Sequence, residues 1–303
     1  MGAVIALVSA PSNLGLRPPV PTAVPGCAKA PEALRAAGLH ATLMDAGAVD
    51  AGVVLPGRYV DDAAPGRLRN QDAIVDHARR LAGRLGELLD AGRSPLVLGG
   101  DCSLLVGAAL ALARRGRHGL VHVDGHTDFR HPGTSQACAS LAGEDLAAAV
   151  GLHWPAVSDI DGLAPYVDPR DAVHLGCRDE DEALAEVSGL LGACVPASRL
   201  RERGADAVAA QTLDRMSSPH LAGWWLHVDV DVLDPAVLPA VDSPDPGGLD
   251  AAELVDLLRR LAPHALGAQV TVFDPDLDPD GRYATLLAGL VAEGLRDLGA
   301  ARR

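Results

Sequence analysis

Short apolar runs alternate along the chain with segments of helical period, and that alternation constrains the fold more than any other feature. Strands joined through helices build a mostly parallel sheet. Eight runs stand out: "AVIALV" (3–8), "ATLMD" (41–45), "PLVLGG" (95–100), "GLVHVD" (119–124), "AVHLG" (172–176), "ACV" (193–195), "WWLHVDV" (224–230) and "GAQVTVFD" (267–274). Ile74, Val75, Ala78, Leu81, Ala82, Leu85, Leu88 and Leu89 recur at three and four, which predicts one amphipathic helix over 70–91. Leu286, Leu287, Leu290, Val291, Leu295 and Leu298 mark another near the end. The Pro/Gly-rich stretch 11–27 and the segment 51–68 read as surface loops. The expectation is an α/β fold with a mainly parallel, eight-stranded sheet in one domain over 1–303, for which 48% apolar residues provide a substantial core.

Charge and cysteine usage remove several functions. With 40 acidic against 26 basic side chains the net charge is -14, a field that repels nucleic acid and anionic lipid. The opening "MGAVIALVSA" lacks a basic leader and stops at Pro11, so it reads as a core strand and neither a secretory signal nor a membrane span. Five cysteines, Cys27, Cys102, Cys138, Cys177 and Cys194, form no C-x-x-C pair and fit a reducing, cytoplasmic compartment.

In an open parallel sheet, ligands collect beyond the carboxyl ends of the strands. "LVLGGDC" ends in Asp101 and Cys102, "LVHVDGHTDF" in Asp124, His126 and Asp128, and "WLHVDVDVLDP" in Asp229, Asp231 and Asp234. In extended chain a spacing of two puts Asp124, His126 and Asp128 on one side, and likewise Asp229 and Asp231. Four carboxylates and an imidazole would then converge, at a cost of several kcal/mol per unpaired buried ion unless cations neutralise them. Two divalent metals suffice. A single strand-end aspartate is usually a turn former, but turn formation requires neither the alternation nor the histidine.

The segments "GGDC" (99–102), "DGHTD" (124–128) and "HVDVDVLDPAVLPAVDSPDPGG" (227–248) resemble the three signatures of the arginase, or ureohydrolase, family. Those signatures look like a "GGDH" turn, "DAHxD" and "SxDxDxxDPxxxPxxGxPxPGG". "PGCAKAPEALRAAGL" (25–39), "LGCRDEDE" (175–182) and "FDPDLDPDGRYA" (273–284) extend the resemblance over almost the whole chain. It implies a three-layer α/β/α domain and a binuclear manganese centre. Asp124 and Asp229 would bridge both ions, Cys102 and Asp128 would complete the first, and His126 and Asp231 the second. A hydroxide generated between the ions would attack a guanidinium carbon, with Asp128 passing a proton to the leaving amine. The products would be an amine and a urea-like compound. The resemblance also leaves a homo-oligomer open, since many relatives form trimers or hexamers.

Departures from the family pattern bear on the substrate. Cys102 stands where the better-known members have a ligand histidine. It is either a small buried hydrophobe or a thiolate favoured by a helix N-terminus and a neighbouring cation. A thiolate ligand would pull selectivity toward zinc or iron, while the carboxylates still favour manganese. Ala142 stands where the family's proton-shuttle histidine is expected; His131, Glu144 and His153 are the candidate stand-ins, though each reads more readily as a surface or capping residue. Asp274 replaces the glutamate that pairs with the guanidinium.

Cysteine with no shuttle histidine is similar to a minority branch that includes the Nω-hydroxy-arginine hydrolase of cycloserine biosynthesis, which implies a modified guanidine. Arg130 is placed to bind a substrate carboxylate bidentately or to face solvent, and Asp181 aligns with the residue that holds an α-amino group. Two other readings stay open: a formimidoyl or other amidine hydrolase, and a non-catalytic metal-binding homologue. "DPDLDPDG" (274–281) is no calcium loop, because Leu287 stands where the bidentate glutamate is required. "LGG" (98–100) lacks the further glycine of a dinucleotide fingerprint, and Trp224 and Trp225 read as core.

Overall fold

Eight parallel strands form one sheet: β1 (Ile5–Ala10), β2 (Val49–Val53), β3 (Ser94–Gly99), β4 (Gly119–Val123), β5 (Ala172–Leu175), β6 (Ala193–Val195), β7 (Trp224–Asp229) and β8 (Gly267–Thr271). Their order across the sheet is β2-β1-β3-β8-β7-β4-β5-β6. The computed structural model describes residues 3–302; residues 1, 2 and 303 of the expected domain lie outside them.

Successive strand residues point to opposite faces, and this divides the apolar side chains into two cores. Leu7, Leu96, Leu98, Val121 and Leu226 enter one, packed with Leu200, Leu254, Leu258 and Leu287 of the helices Ala197–Met216, Ala251–Leu261 and Arg282–Gly294. Val8, Val97, Leu120 and Trp225 enter the other, with Ile74, Leu81 and Leu85 of the helix Gln71–Asp90 and Leu104–Leu112 of the next helix. Three layers result, as expected. The helix Leu104–Ala113 is apolar all round because it lies between the sheet and Gln71–Asp90, with Gly107 admitting Leu81 at close range. Asp250 opens Ala251–Leu261 with a reciprocal capping box to Glu253. Among the described residues no helix is long and apolar enough to cross a membrane.

One expected strand is corrected. Residues 41–45 lie in the helix Leu39–Asp45, where Leu39, His40 and Leu43 share a buried stripe while Met44 is exposed. The second strand instead falls at Val49–Val53, so the segment 51–68, read as a loop, begins within it. As an edge strand with exposed side chains, "VDAGV" needs no apolar run and carries none.

The carboxyl end of β3 is threaded between its neighbours. Gly100 N donates to Ala10 O at 3.2 Å, Val272 N donates to Gly100 O at 2.7 Å, and Asp101 N donates to Ser12 O at 3.1 Å. A Cβ on Gly100 would overlap the backbone of Ser12, so the turn that carries Asp101 and Cys102 requires glycine there. Gly100→Ala is expected to lose about 2–3 kcal/mol, read as a lower urea midpoint at unchanged m-value. A loss under about 0.5 kcal/mol, the range of an ordinary surface substitution, would refute this account.

Candidate metal centre

Five adjacent strands, β3-β8-β7-β4-β5, end at the same edge of the sheet. They lead respectively into Cys102, Asp274, Asp229, Asp124 and Asp181. The acidic groups meet there, but not by strand alternation. Beyond Val123 the chain coils: His126 N donates to Asp124 Oδ1 at 2.7 Å, and Asp128 takes a left-handed conformation with φ 47°. Likewise Asp231 N donates to Asp229 Oδ1 at 2.8 Å, across the 3-10 turn Val230–Val232. Aspartate is suited to both tasks, since its short side chain caps its own backbone two residues on and tolerates positive φ. Expecting one extended face was wrong in mechanism, although the residues it grouped do converge.

Donor atoms of Cys102, Asp124, His227 and Asp229 lie within 4.8 Å of one another, as do those of Cys102, Asp128 and Asp145, and of His122, Asp124 and Asp128. Cys102 is 1% exposed; its thiol donates to Asp229 Oδ2 at 2.7 Å, and Sγ lies 3.0 Å from Thr271 Oγ1. Burial, reinforced by the surrounding carboxylates, pushes the pKa values of Asp124, Asp128 and Asp229 well above the usual range, and that of the Cys102 thiol with them.

Asp231 departs from this pattern. Burial opposes its charge, but the hydrogen bond and charge of His126 bring its pKa below the usual value. His126 Nδ1 is 2.9 Å from Asp231 Oδ2 and Nε2 is 3.1 Å from Asp245 Oδ2. Against the cost of burial, these carboxylates raise its pKa to about 10.

Above these groups opens a cleft of about 810 Å³, lined by His126, Asp128, Asp229 and Asp231 at its floor and by Arg130, Asp181 and Asp274 on its walls. Ala142 lines it as well. Asp274 Oδ2 accepts from Gly26 N at 3.1 Å. Asp181 accepts from Thr127 N at 2.9 Å and from Thr127 Oγ1 at 2.6 Å, while Arg130 is paired with Glu182 at 3.1 Å. The candidate stand-ins for the shuttle are occupied elsewhere. His131 pairs with Glu186 at 3.0 Å, and His153 with Glu144 at 2.8 Å, in contacts outside the cleft lining.

Four contributors escaped the sequence reading. Arg178 is 6% exposed and donates to Asp231 O at 2.9 Å and Asp245 O at 2.6 Å, holding the loop that carries Asp231. His122, His227 and Asp145 lie fully buried beneath the signature aspartates. A usable signal existed for two of them: "HVD" occurs at 122–124 and again at 227–229, one histidine two residues before each central aspartate.

The Arginase family model matches residues 4–295, and the chain belongs to the arginase family, hydrolases that act on amidino C–N bonds. An arginase of Agrobacterium fabrum is 31% identical over 284 residues, covering 88% of this chain and 85% of that protein. The native structure of Bacillus caldovelox arginase at pH 5.6 matches with a TM-score of 0.86 at 27% identity, over 97% of this chain and 98% of that one. Proclavaminate amidino hydrolase from Streptomyces clavuligerus matches with a TM-score of 0.72 at 26% identity, over 99% of this chain and 93% of that one.

Protons and divalent cations compete for the same oxygens and for His126, so metal affinity should rise with pH. Calorimetric titration of Mn2+ in buffers of differing ionisation enthalpy, at about pH 6.5, should show at least about one proton released per ion. Uptake with no proton release would contradict the raised carboxyl pKa values.

Proposed function

We propose that the chain is a binuclear metal-dependent amidinohydrolase that cleaves a C–N bond of a guanidino compound, with an N-modified guanidine such as an N-hydroxyguanidine as the favoured substrate. The observation that carries this reading is the set of buried acidic groups at and beneath the cleft floor, two of which, Asp124 and Asp145, keep carboxyl oxygens without hydrogen-bond partners among the described residues. Asp124 Oδ2 has no hydrogen-bond partner among the described residues, and a buried carboxylate oxygen left in that state costs several kcal/mol. A divalent cation fits it. Cys102, Asp124, Asp128 and Asp229 would hold one ion, and His126, Asp124, Asp229 and Asp231 the other. Hard oxygen donors outnumber the single sulfur, which favours Mn2+ over Zn2+ or Fe2+.

When bound, such a pair of ions lowers the pKa of water enough to supply hydroxide at neutral pH. The side chains of the chain do the rest. Asp274, on the β8 edge of the cleft, would pair with the cationic guanidinium and orient its carbon toward the floor. Asp128 would take the proton of the attacking water and deliver it to the departing amine nitrogen, so that water and guanidinium become amine and a urea or hydroxyurea. Asp181 and Arg130 would face the far end of the substrate and read an α-amino and a carboxylate group. The nearly complete carboxylate set favours turnover over a purely metal-binding role, since a scaffold need not keep an open cleft over it.

A panel of guanidines, N-hydroxyguanidines and formimidoyl compounds, scored for urea, hydroxyurea, formamide and ammonia on Mn2+-loaded protein, tests the reading. One guanidino class should turn over, and Asp128→Asn should lower kcat by about 10²–10⁴-fold. Absence of turnover across the panel, with two ions bound, would leave a metal-binding homologue without catalysis, and formamide release would move the cleaved bond to a formimidoyl group. Arg130→Ala should raise KM for carboxylated guanidines and leave uncarboxylated ones unchanged. Equal behaviour toward both would remove Arg130 from the substrate site.

A further inference from the structure

One layer beneath the signature aspartates, four adjacent strands present polar side chains at the same level of the same sheet face. His174 of β5 is in register with His122 of β4, His122 with His227 of β7, and His227 with Gln269 of β8. All four are 0% exposed. Asp145, which opens the helix Asp145–Ala149, reaches the same level and is also 0% exposed. Neither of its carboxyl oxygens has a hydrogen-bond partner among the described residues; the same holds for His122 Nε2, His227 Nε2 and Asp124 Oδ2. Native interiors rarely leave so many polar atoms unsatisfied together unless something binds there.

The spacings indicate what binds. His122 Nε2 is 3.5 Å from Asp145 Oδ1 and 3.8 Å from Asp124 Oδ2. These are long for hydrogen bonds, but they fall between the about 3.1 Å that separates adjacent ligands and the about 4.4 Å that separates opposite ones on a six-coordinate ion with bonds of about 2.2 Å. Asp145 also lies within reach of Cys102 and Asp128, and His122 within reach of Asp124 and Asp128. Both therefore face the set assigned above to the first ion.

The hydrogen-bond chain decides which imidazole can ligate. Trp225 Nε1 donates to Gln269 Oε1 at 3.1 Å, which fixes the amide so that Gln269 Nε2 donates to His227 Nδ1 at 2.8 Å. His227 therefore keeps its proton on Nε2, as a donor directed at Asp124 Oδ2, 3.9 Å away. His122 is free of that restriction. Its Nδ1 faces His174 Nδ1 at 3.1 Å, and when His122 donates there its Nε2 presents a lone pair, the arrangement of a ligating histidine oriented by an outer partner. His227 stacks on it at 4.4 Å with an interplanar angle of 8° and fixes the ring plane.

We propose that His122 Nε2 and the Asp145 carboxylate are ligands of the first divalent cation, supplying from below the imidazole that Cys102 does not provide. The inference rests on the binuclear reading and adds two ligands that none of the three signatures contains. His227 and His174 are positioning residues in this arrangement.

The test is equilibrium dialysis of the full-length protein against Mn2+ with elemental analysis, for the wild type, His122→Gln and Asp145→Asn, with circular dichroism as the folding control. The wild type should hold two ions; each variant should hold one as tightly and the other at least about 10–100-fold more weakly. Wild-type crystals grown with Mn2+, with anomalous maps at the manganese edge, answer the same question without substitution. A peak within about 2.4 Å of both His122 Nε2 and an Asp145 oxygen supports the proposal. Two ions retained at unchanged affinity in both variants, or peaks that leave His122 and Asp145 beyond about 3 Å, would overturn it and leave the binuclear reading intact. Absence of any uptake by the wild type would overturn both.

Discussion

Carboxylates crowded at the ends of β4 and β7 set the terms for the rest of the structure, because they are buried together and Asp124 Oδ2 has no hydrogen-bond partner among the described residues. Asp124 and Asp229 each accept a backbone N–H from the second residue on, and Asp229 accepts the Cys102 thiol. The nearby positive groups, His126 and Arg178, are both directed at Asp231 and its loop. Burial therefore acts on Asp124, Asp128 and Asp229 largely unopposed, and their raised pKa values are the electrostatic signature of a site suited to cations. The left-handed Asp128 and the glycine that lets β3 end against Ser12 are backbone arrangements that only this convergence explains.

The walls of the cleft are less committed to chemistry than the floor. Asp274, Asp181 and Arg130 each hold another part of the protein: the Gly26 backbone, Thr127 and Glu182 respectively. A group that braces the cleft and also meets a substrate couples loop position to recognition. Gly26 has no room for a side chain, because Asp274 and Asp276 pack directly against it. Residues 23–26 thus line the cleft beside Asp274, a carboxylate one methylene shorter than the glutamate that the family resemblance implies there. Ala142, where the family resemblance expects a histidine, lines the same cleft.

Most of the sheet was legible in the sequence because parallel strands buried on both faces must be apolar throughout, and seven of the eight runs are strands. The exception failed for a physical reason: an edge strand is exempt from that demand, so "VDAGV" carries no pattern, while the buried stripe of Leu39, His40 and Leu43 imitates one. Asp124, His126, Asp128, Asp229 and Asp231 were legible because they fall two apart at strand ends. His122, His227, Asp145 and Arg178 were not. His122 and His227 are single polar residues within apolar strands, Asp145 follows Glu144 at a helix start and Arg178 opens a charged run, and periodicity singles out none of them.

By itself the sequence determined the mainly parallel sheet with helical connections, the edge of the sheet where chemistry collects and the acidic character of that edge, because periodicity and residue type act locally along each strand. Only the tertiary structure decided which strands are neighbours. The order β3-β8-β7-β4-β5 joins residues far apart in the chain, placing Cys102 against Asp229, 127 positions on, and His122 between His174, 52 positions on, and His227. Register and burial, which no local pattern encodes, then turn separate polar side chains into one cage, several of whose atoms have no hydrogen-bond partner among the described residues.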